Sequence, residues 1–207
     1  LLLAANERMN LTAVRDPAEA WVKHVFDSLT LLPVLGEACG ETGGARLVDV
    51  GSGGGLPGVV LAIALPGLEV TCLEATGKKA GFIREAGREL GLGNLEVVQA
   101  RAEAAGRDPA HRGRYGLATA RALGRLNVAA ELVTPLLGVG GLGLFIKGAK
   151  AEEELGEAKA ALHLLHVAHA GTVPTPTGRV VILERRRATP RAYPRADGVP
   201  KKSPLGL

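Results

Sequence analysis

Residues 47–58 read Leu-Val-Asp-Val-Gly-Ser-Gly-Gly-Gly-Leu-Pro-Gly, an apolar stretch that delivers Asp49 and then meets four glycines within five residues. Each glycine weakens a helix by about 1 kcal/mol relative to alanine and leaves a strand without side chains to pack. The run must therefore be a loop, set between a strand ending near Val50 and an apolar helix beginning near Pro57. Bare backbone lets a ligand approach closely, and the free N–H groups of the following helix point at it. A strand, a glycine loop and a helix in that order constrain the chain to an α/β unit that holds a nucleotide-like cofactor.

The rest of the chain fits that unit. With 207 residues there is room for one α/β domain and an appendage. Residues 1–40 read as a helical N-terminal extension. Asp16-Pro17 supplies an N-cap followed by proline at the first helical position, and Trp21, Val25, Leu29 and Leu32 recur at helical spacing. Residues 41–187 form the cofactor-binding core, and 188–207 a basic C-terminal tail. Strands are predicted at 46–50, 69–73, 95–99, 117–120, 141–146, 163–168 and 179–184. Helices at 57–65, 78–91, 125–137 and 150–162 cross between them. The expected fold is a doubly wound, mostly parallel seven-stranded sheet.

The acids and glycines narrow the cofactor. Glu74 closes the predicted second strand, where this architecture places a carboxylate that hydrogen-bonds a ribose diol. NAD and S-adenosylmethionine both carry that ribose. Gly53, Gly55 and Gly58 satisfy the dinucleotide pattern G-x-G-x-x-G, but several residues beyond the strand end. Asp49, Gly51, Gly53 and Gly55 give the better aligned D-x-G-x-G-x-G, with an acid close to where a cationic sulfonium cofactor would lie and awkward beside a pyrophosphate. S-adenosylmethionine is the expected cofactor. The alternatives are a methyltransferase acting on another RNA, on protein or on a small molecule, an NAD(P)-dependent oxidoreductase, and a cofactor-free RNA-binding protein.

Composition bears on partners and compartment. Between Glu184 and Lys202 there are seven lysines or arginines against two acids, so the tail reads as seeking a polyanion, nucleic acid rather than membrane. Reversing Lys201 and Lys202 is expected to weaken RNA binding and spare the cofactor. Aromatic residues make up 3% of the chain, which argues against a base-stacking sheet platform. Cys39 and Cys72 read as buried thiols. His163, His166 and His169 fall in a segment read as strand, where 163 and 166 face opposite sides, so no metal site is expected. With no uninterrupted run of 18 apolar residues and no leader pattern, a cytoplasmic protein is expected. The start at Leu1, without an initiator methionine, reads as a trimmed leading segment. One Met, one Gln and four Asn fit a thermophile or a GC-rich genome.

Several motifs together resemble the RsmG (GidB) family of small-subunit ribosomal RNA guanine-N7 methyltransferases. They are Asn10-Leu11-Thr12-Ala13, His24, Asp27-Ser28, the loop from Asp49 to Gly58, Glu74 with Lys78 and Lys79, and Arg101-Ala102-Glu103. Further along come Thr119-Ala120-Arg121-Ala122, Lys147-Gly148, Tyr193-Pro194-Arg195, Gly198-Val199-Pro200 and Lys202-Ser203-Pro204-Leu205. The resemblance covers almost the whole chain, with a start shorter than the family shows.

The resemblance implies a Rossmann-like class I methyltransferase acting on 16S ribosomal RNA, as a monomer, with a small-subunit particle as substrate. It implies cofactor contacts at Gly51 and Leu56, at Glu74, Ala75 and Thr76, at Ala102 and Glu103, and at Arg121, to which the loop pattern itself adds Gly53 and Gly55. Asp49 is expected to face the methionine end and Glu74 the ribose. Glu103 either holds the adenine or is a solvated acid at a helix start. Guanine N7 carries an exposed lone pair, so transfer needs alignment but no base. Arg121, Arg125 and Lys147 are then grips on phosphate or guanine O6, with Arg121 alternatively on the methionine carboxylate. His24 and Asp27, with Asn10 and Lys23 nearby, could line the substrate mouth or form a surface hydrogen bond. Trp21 is expected to anchor the helical lobe, with stacking on a flipped base as the alternative.

Overall fold

The computed structural model describes residues 1–42 and 46–206, with 38–42 described by backbone alone, so Cys39 lies outside the described side chains. Seven strands form one sheet: β1 (Arg46–Val50), β2 (Glu69–Leu73), β3 (Leu95–Val98), β4 (Tyr115–Arg121), β5 (Leu137–Lys147), β6 (Val167–Thr175) and β7 (Gly178–Arg185). Their order is β3-β2-β1-β4-β5-β7-β6. β3 through β5 pair in parallel, and β7 inserts antiparallel between β5 and β6. Chain direction across the sheet reverses at β1 and β4, so the crevice above their C-terminal ends is where such a sheet accepts a ligand.

Helices cover both faces: α1 (Leu2–Met9), α2 (Pro17–Ala20), α3 (Asp27–Leu29), α4 (Leu32–Thr42), α5 (Gly58–Ala64), α6 (Gly77–Glu89), α7 (Ala102–Ala105), α8 (Leu126–Val133), α9 (Ala151–Leu164) and α10 (Val199–Lys202). The pleat sorts β1 between two cores. Val48 and Val50 face a cluster with Ala129, Val133, Ala158 and Leu162, whereas Leu47 joins Leu31, Leu35, Leu61 and Cys72 on the other side.

Three predicted elements are corrected. The segment 163–168 is not a strand throughout: α9 runs to Leu164 and β6 begins at Val167. Ala158, Ala161, Leu162 and Leu165 are all buried, a helical spacing that carries the chain past His163. His163 therefore ends a helix, and His166 turns the chain at φ 60°. The helix predicted over 125–137 stops at Val133, because Pro135 has no N–H for the carbonyl four residues back. β5 starts at Leu137, four residues before the prediction.

Trp21 is the third. It is 66% exposed and does not anchor the lobe. Between α2 and α3, residues Trp21–Phe26 form a π-helical turn, and its wider winding shifts the phase that a 3.6-residue reading assumes. Ala20, His24, Asp27 and Ser28 take the inward face instead. The expected cap is present, with Asp16 Oδ1 accepting from the Glu19 N–H at 2.8 Å.

Candidate active site: two clefts that meet over the glycine loop

Gly51 follows β1 at φ 73°, and its N–H and that of Ser52 both donate to the Leu73 carbonyl, at 2.8 and 3.2 Å. The loop is thereby tied to the end of β2. Beside it runs the turn after β4, where Ala122 takes φ 55° and a Cβ on Gly51 would lie 2.8 Å from Leu123 Cδ1.

Asp49 lies beneath the loop. It shares the pleat face of Leu47, opposite Thr119 in β4 and Cys72 in β2 by register. Oδ2 accepts from the Gly58 N–H at 3.1 Å, and Oδ1 accepts from the Thr119 hydroxyl at 3.0 Å. At 1% exposure it presents no open oxygen to a ligand, and burial pushes its carboxyl above the ordinary carboxylate range. Its visible work is to clamp the loop to the start of α5. Gly58 permits that approach, since a Cβ there would sit 2.6 Å from Cys72 Sγ and 2.9 Å from Asp49 Oδ2. Burial raises the Cys72 thiol as well, which suits an inert core group.

Glu74 is also buried, with Oε2 accepting from the Gly53 N–H at 2.8 Å and Oε1 from the Thr76 N–H at 2.7 Å. A carboxylate has about four acceptor positions, so two remain for hydroxyls in the cleft that Glu74 lines. Glu103 is no solvated acid: it is buried, and its Oε1 accepts from the Gly198 N–H at 2.8 Å.

That bond draws the tail into the site. A cleft of about 680 Å³ is lined by Gly51, Glu74, Ala75, Ala102 and Glu103 on the strand side and by Gly198, Lys201 and Pro204 on the tail side. The tail is held by Glu131, fully buried on α8. Its carboxylate accepts from the Arg195 N–H at 2.9 Å, from Nε at 2.9 Å and from Nη2 at 2.7 Å. The segment expected to seek RNA thus forms a wall of this first cleft. Lys201 lines that cleft, whereas Lys202 lines neither of the two clefts. We expect Glu103→Ala to leave the Gly198 amide without its acceptor, a local cost of about 1–2 kcal/mol. Limited proteolysis should then cut the tail faster, and cofactor affinity should fall, whereas Lys202→Glu should change neither.

A second cleft, of about 700 Å³, shares Gly51 and Ala122 with the first and adds Thr12, His24, Asp27, Gly53, Leu56, Arg121, Lys147 and Thr177. Arg121 Nη1 donates to the Lys23 carbonyl at 2.8 Å and lies 3.4 Å from Asp27 Oδ2. Asp27 also accepts from the Thr177 hydroxyl, which ties the helical lobe to the β6–β7 turn. His24 Nε2 is 2.8 Å from Thr12 Oγ1. Burial first, and Arg121 second, hold its imidazole below the usual histidine range, neutral at pH 7.

The predicted cations are brought together only in part. Lys147 joins Arg121 and His24 in the second cleft, with Nζ donating to the Gly124 carbonyl at 2.6 Å and to Glu154 Oε2 at 2.8 Å. Arg125 lines the first cleft, 3.1 Å from Glu157 Oε2. Asn10 is exposed, ends α1 at φ 51° and lines neither cleft. Thr119, Thr177, Leu123 and the Gly198–Pro204 wall were missed. Only Thr119 had a local signal, its alternation with Leu117 in β4.

The chain matches a family model described as rRNA small subunit methyltransferase G over residues 1–179. It is 50% identical over 193 residues to a ribosomal RNA small subunit methyltransferase G from Sorangium cellulosum, covering 93% of this chain and 79% of that one. To the protein of the same name from Rubrobacter xylanophilus it is 45% identical, covering 99% and 80%. Among solved structures, a SAM dependent methyltransferase from Aquifex aeolicus superposes with a TM-score of 0.59 at 18% identity, covering 82% of this chain and 98% of that one. At that identity the superposition speaks for the fold.

Proposed function

The chain belongs to the rRNA small subunit methyltransferase G family, and on that premise we propose that it transfers a methyl group from S-adenosylmethionine to N7 of one guanine in 16S ribosomal RNA. The observation that carries the reading is the meeting of the two clefts at Gly51 and Ala122, above the strand ends where the sheet reverses. One cleft fits an adenosine-sized ligand, and the other, lined by Arg121, His24 and Lys147, fits a base with its phosphate.

The residues present suit the cofactor. Glu74 keeps acceptor positions for ribose hydroxyls, Ala75 and Thr76 bound the ribose, and the edge formed by Ala102 and Glu103 flanks an adenine. Gly51, Gly53 and Leu56 leave the loop open at the junction, whereas Gly55 is buried against Val59 and lines neither cleft, and Asp49 keeps the loop in register from below. S-adenosylmethionine, when bound, supplies a methyl group on a sulfonium, open to in-line displacement by a lone pair. Guanine N7 has that lone pair without a proton, so the chain's task is alignment, and no side chain has to act as a base. Neutral His24 and the Arg121–Asp27 pair orient the base, with Arg121 directed at guanine O6 or at the methionine carboxylate.

The substrate form we propose is the small-subunit particle, met by a monomer in the cytoplasm. Among the described residues no helix is long and apolar enough to cross a membrane. Calorimetric titration with S-adenosylmethionine, NAD and NADP, followed by transfer of labelled methyl to particles and to deproteinised RNA, tests the whole reading. Binding of S-adenosylmethionine alone, with label in RNA that cleaves at 7-methylguanine, is the expected result. Nicotinamide binding, or label on another atom, would overturn it.

A further inference from the structure

At the opposite end of β4 from the transfer site lies a third cavity, of about 670 Å³, lined by Arg107, Arg112, Arg114 and Arg191 with Pro109 and Gly113. Behind it stands Arg185, only 5% exposed, with Nη1 3.4 Å from where a Cβ on Gly113 would sit. Arg112 secures the tail: Nη1 donates to the carbonyls of Gly106 and Tyr193 at 2.6 and 2.8 Å, and Nη2 to that of Thr189 at 2.7 Å. These bonds satisfy its donors and leave its charge unbalanced.

Among the described residues, Arg112, Arg114, Arg185 and Arg191 have no carboxylate within salt-bridge distance. The acids nearby are few. Asp197 is shared between Arg107 at 2.8 Å and Arg101 at 3.7 Å, and Asp108 Oδ1 accepts from the Ala110 N–H. The crowding of like charge registers on the guanidinium groups themselves. Burial and then Arg191 push Arg112 below its ordinary range, and burial and then Arg112 do the same to Arg185. Five arginines against two acids around one cavity form a site whose missing component is an anion.

The cavity's own lining identifies the anion's class. No aromatic side chain is among its lining residues, so it offers no platform for bases. Exposed Arg114 and Arg191 present planar forks that pair with phosphate oxygens. Resting on the ribosomal RNA reading above, we propose that this cavity is a second RNA contact, which grips the phosphodiester backbone of the substrate away from the methylated base. β4 connects the two sites: its six steps from Tyr115 to Arg121 at about 3.3 Å each put them roughly 20 Å apart. That is about two and a half Debye lengths at physiological salt, so the cavity's charge adds RNA affinity without disturbing the cofactor. Phosphate contacts of this kind position the RNA and carry no sequence information.

The test pairs Arg114→Gln with Arg191→Gln in one variant. A control, Arg88→Gln with Lys159→Gln, removes the same charge from exposed positions elsewhere. Binding of deproteinised small-subunit RNA is followed across a salt series, with S-adenosylmethionine affinity as the check on folding. We expect the cavity variant to bind RNA about tenfold more weakly, and the slope of log K against log salt to flatten by about 1.4–1.8 for two lost phosphate contacts. Cofactor affinity should stay within about twofold, and the control should bind RNA as wild type does. Unchanged RNA affinity and slope in the cavity variant, or an equal loss in the control, would overturn the inference. So would inorganic phosphate titrating into the cavity with RNA affinity unmoved by the substitutions. Wild-type protein that binds cofactor yet labels no RNA would instead remove the functional reading on which the inference rests.

Discussion

Gly51→Val is expected to raise the dissociation constant for S-adenosylmethionine at least 100-fold and to lower stability by about 2–3 kcal/mol. Two effects combine. A β-branched residue at φ 73° pays the left-handed penalty, about 1–2 kcal/mol before any contact is counted. Its Cβ would also begin 2.8 Å from Leu123 Cδ1. Leu123 lines the first cleft, so relief of the overlap pushes that side chain into the space a ligand needs or moves the loop off β2. Titration calorimetry with a thermal melt separates the two losses. Near-normal affinity in a folded variant would mean that the cofactor does not sit over this loop. Asp49→Ala should also weaken the cofactor, but by releasing Gly58 and Thr119, so its loss of affinity should come with a loss of stability.

Arg195→Ala should cost the most stability of any single tail substitution, about 3–5 kcal/mol. It leaves the Glu131 carboxylate, 0% exposed, without the cation and two of the three hydrogen bonds that now satisfy it. For a domain of this length the melting temperature should fall by roughly 6–20 °C. Cofactor affinity should fall with it, because Arg195 also donates to the Ser203 carbonyl and so holds the segment that walls the first cleft. Replacing both partners, Glu131→Leu with Arg195→Met, should recover most of the stability, since the cost comes from an unpaired buried charge. Recovery of cofactor affinity as well would show that apolar packing alone can seat the tail. A single variant that melts like wild type would show that the tail is not held through this pair.

What the sequence determined by itself is short in range. The glycine run, the acid before it and the acid ending the next strand are local patterns. They place the loop, Glu74 and the β1–α5 junction correctly, because backbone freedom and alternation are properties of a few neighbouring residues. The parallel order followed from strands alternating with helices. Direction and partnership were beyond that range. Asp49 lies on the Leu47 side of the pleat, yet only the packing of α5 over that side turns it toward Gly58 and away from the cleft. Trp21 was misread because a π turn changes the winding that its spacing presupposed. The tail's role rested on Glu131 with Arg195, 64 residues apart, and on Glu103 with Gly198, 95 apart; charge counts cannot see that a cation has been neutralised by an acid so distant in the chain. The tertiary structure decided which cations are spent inside the fold and which, at the far end of β4, are left facing outward, because burial and pairing are made by chain segments that meet only once the sheet has formed.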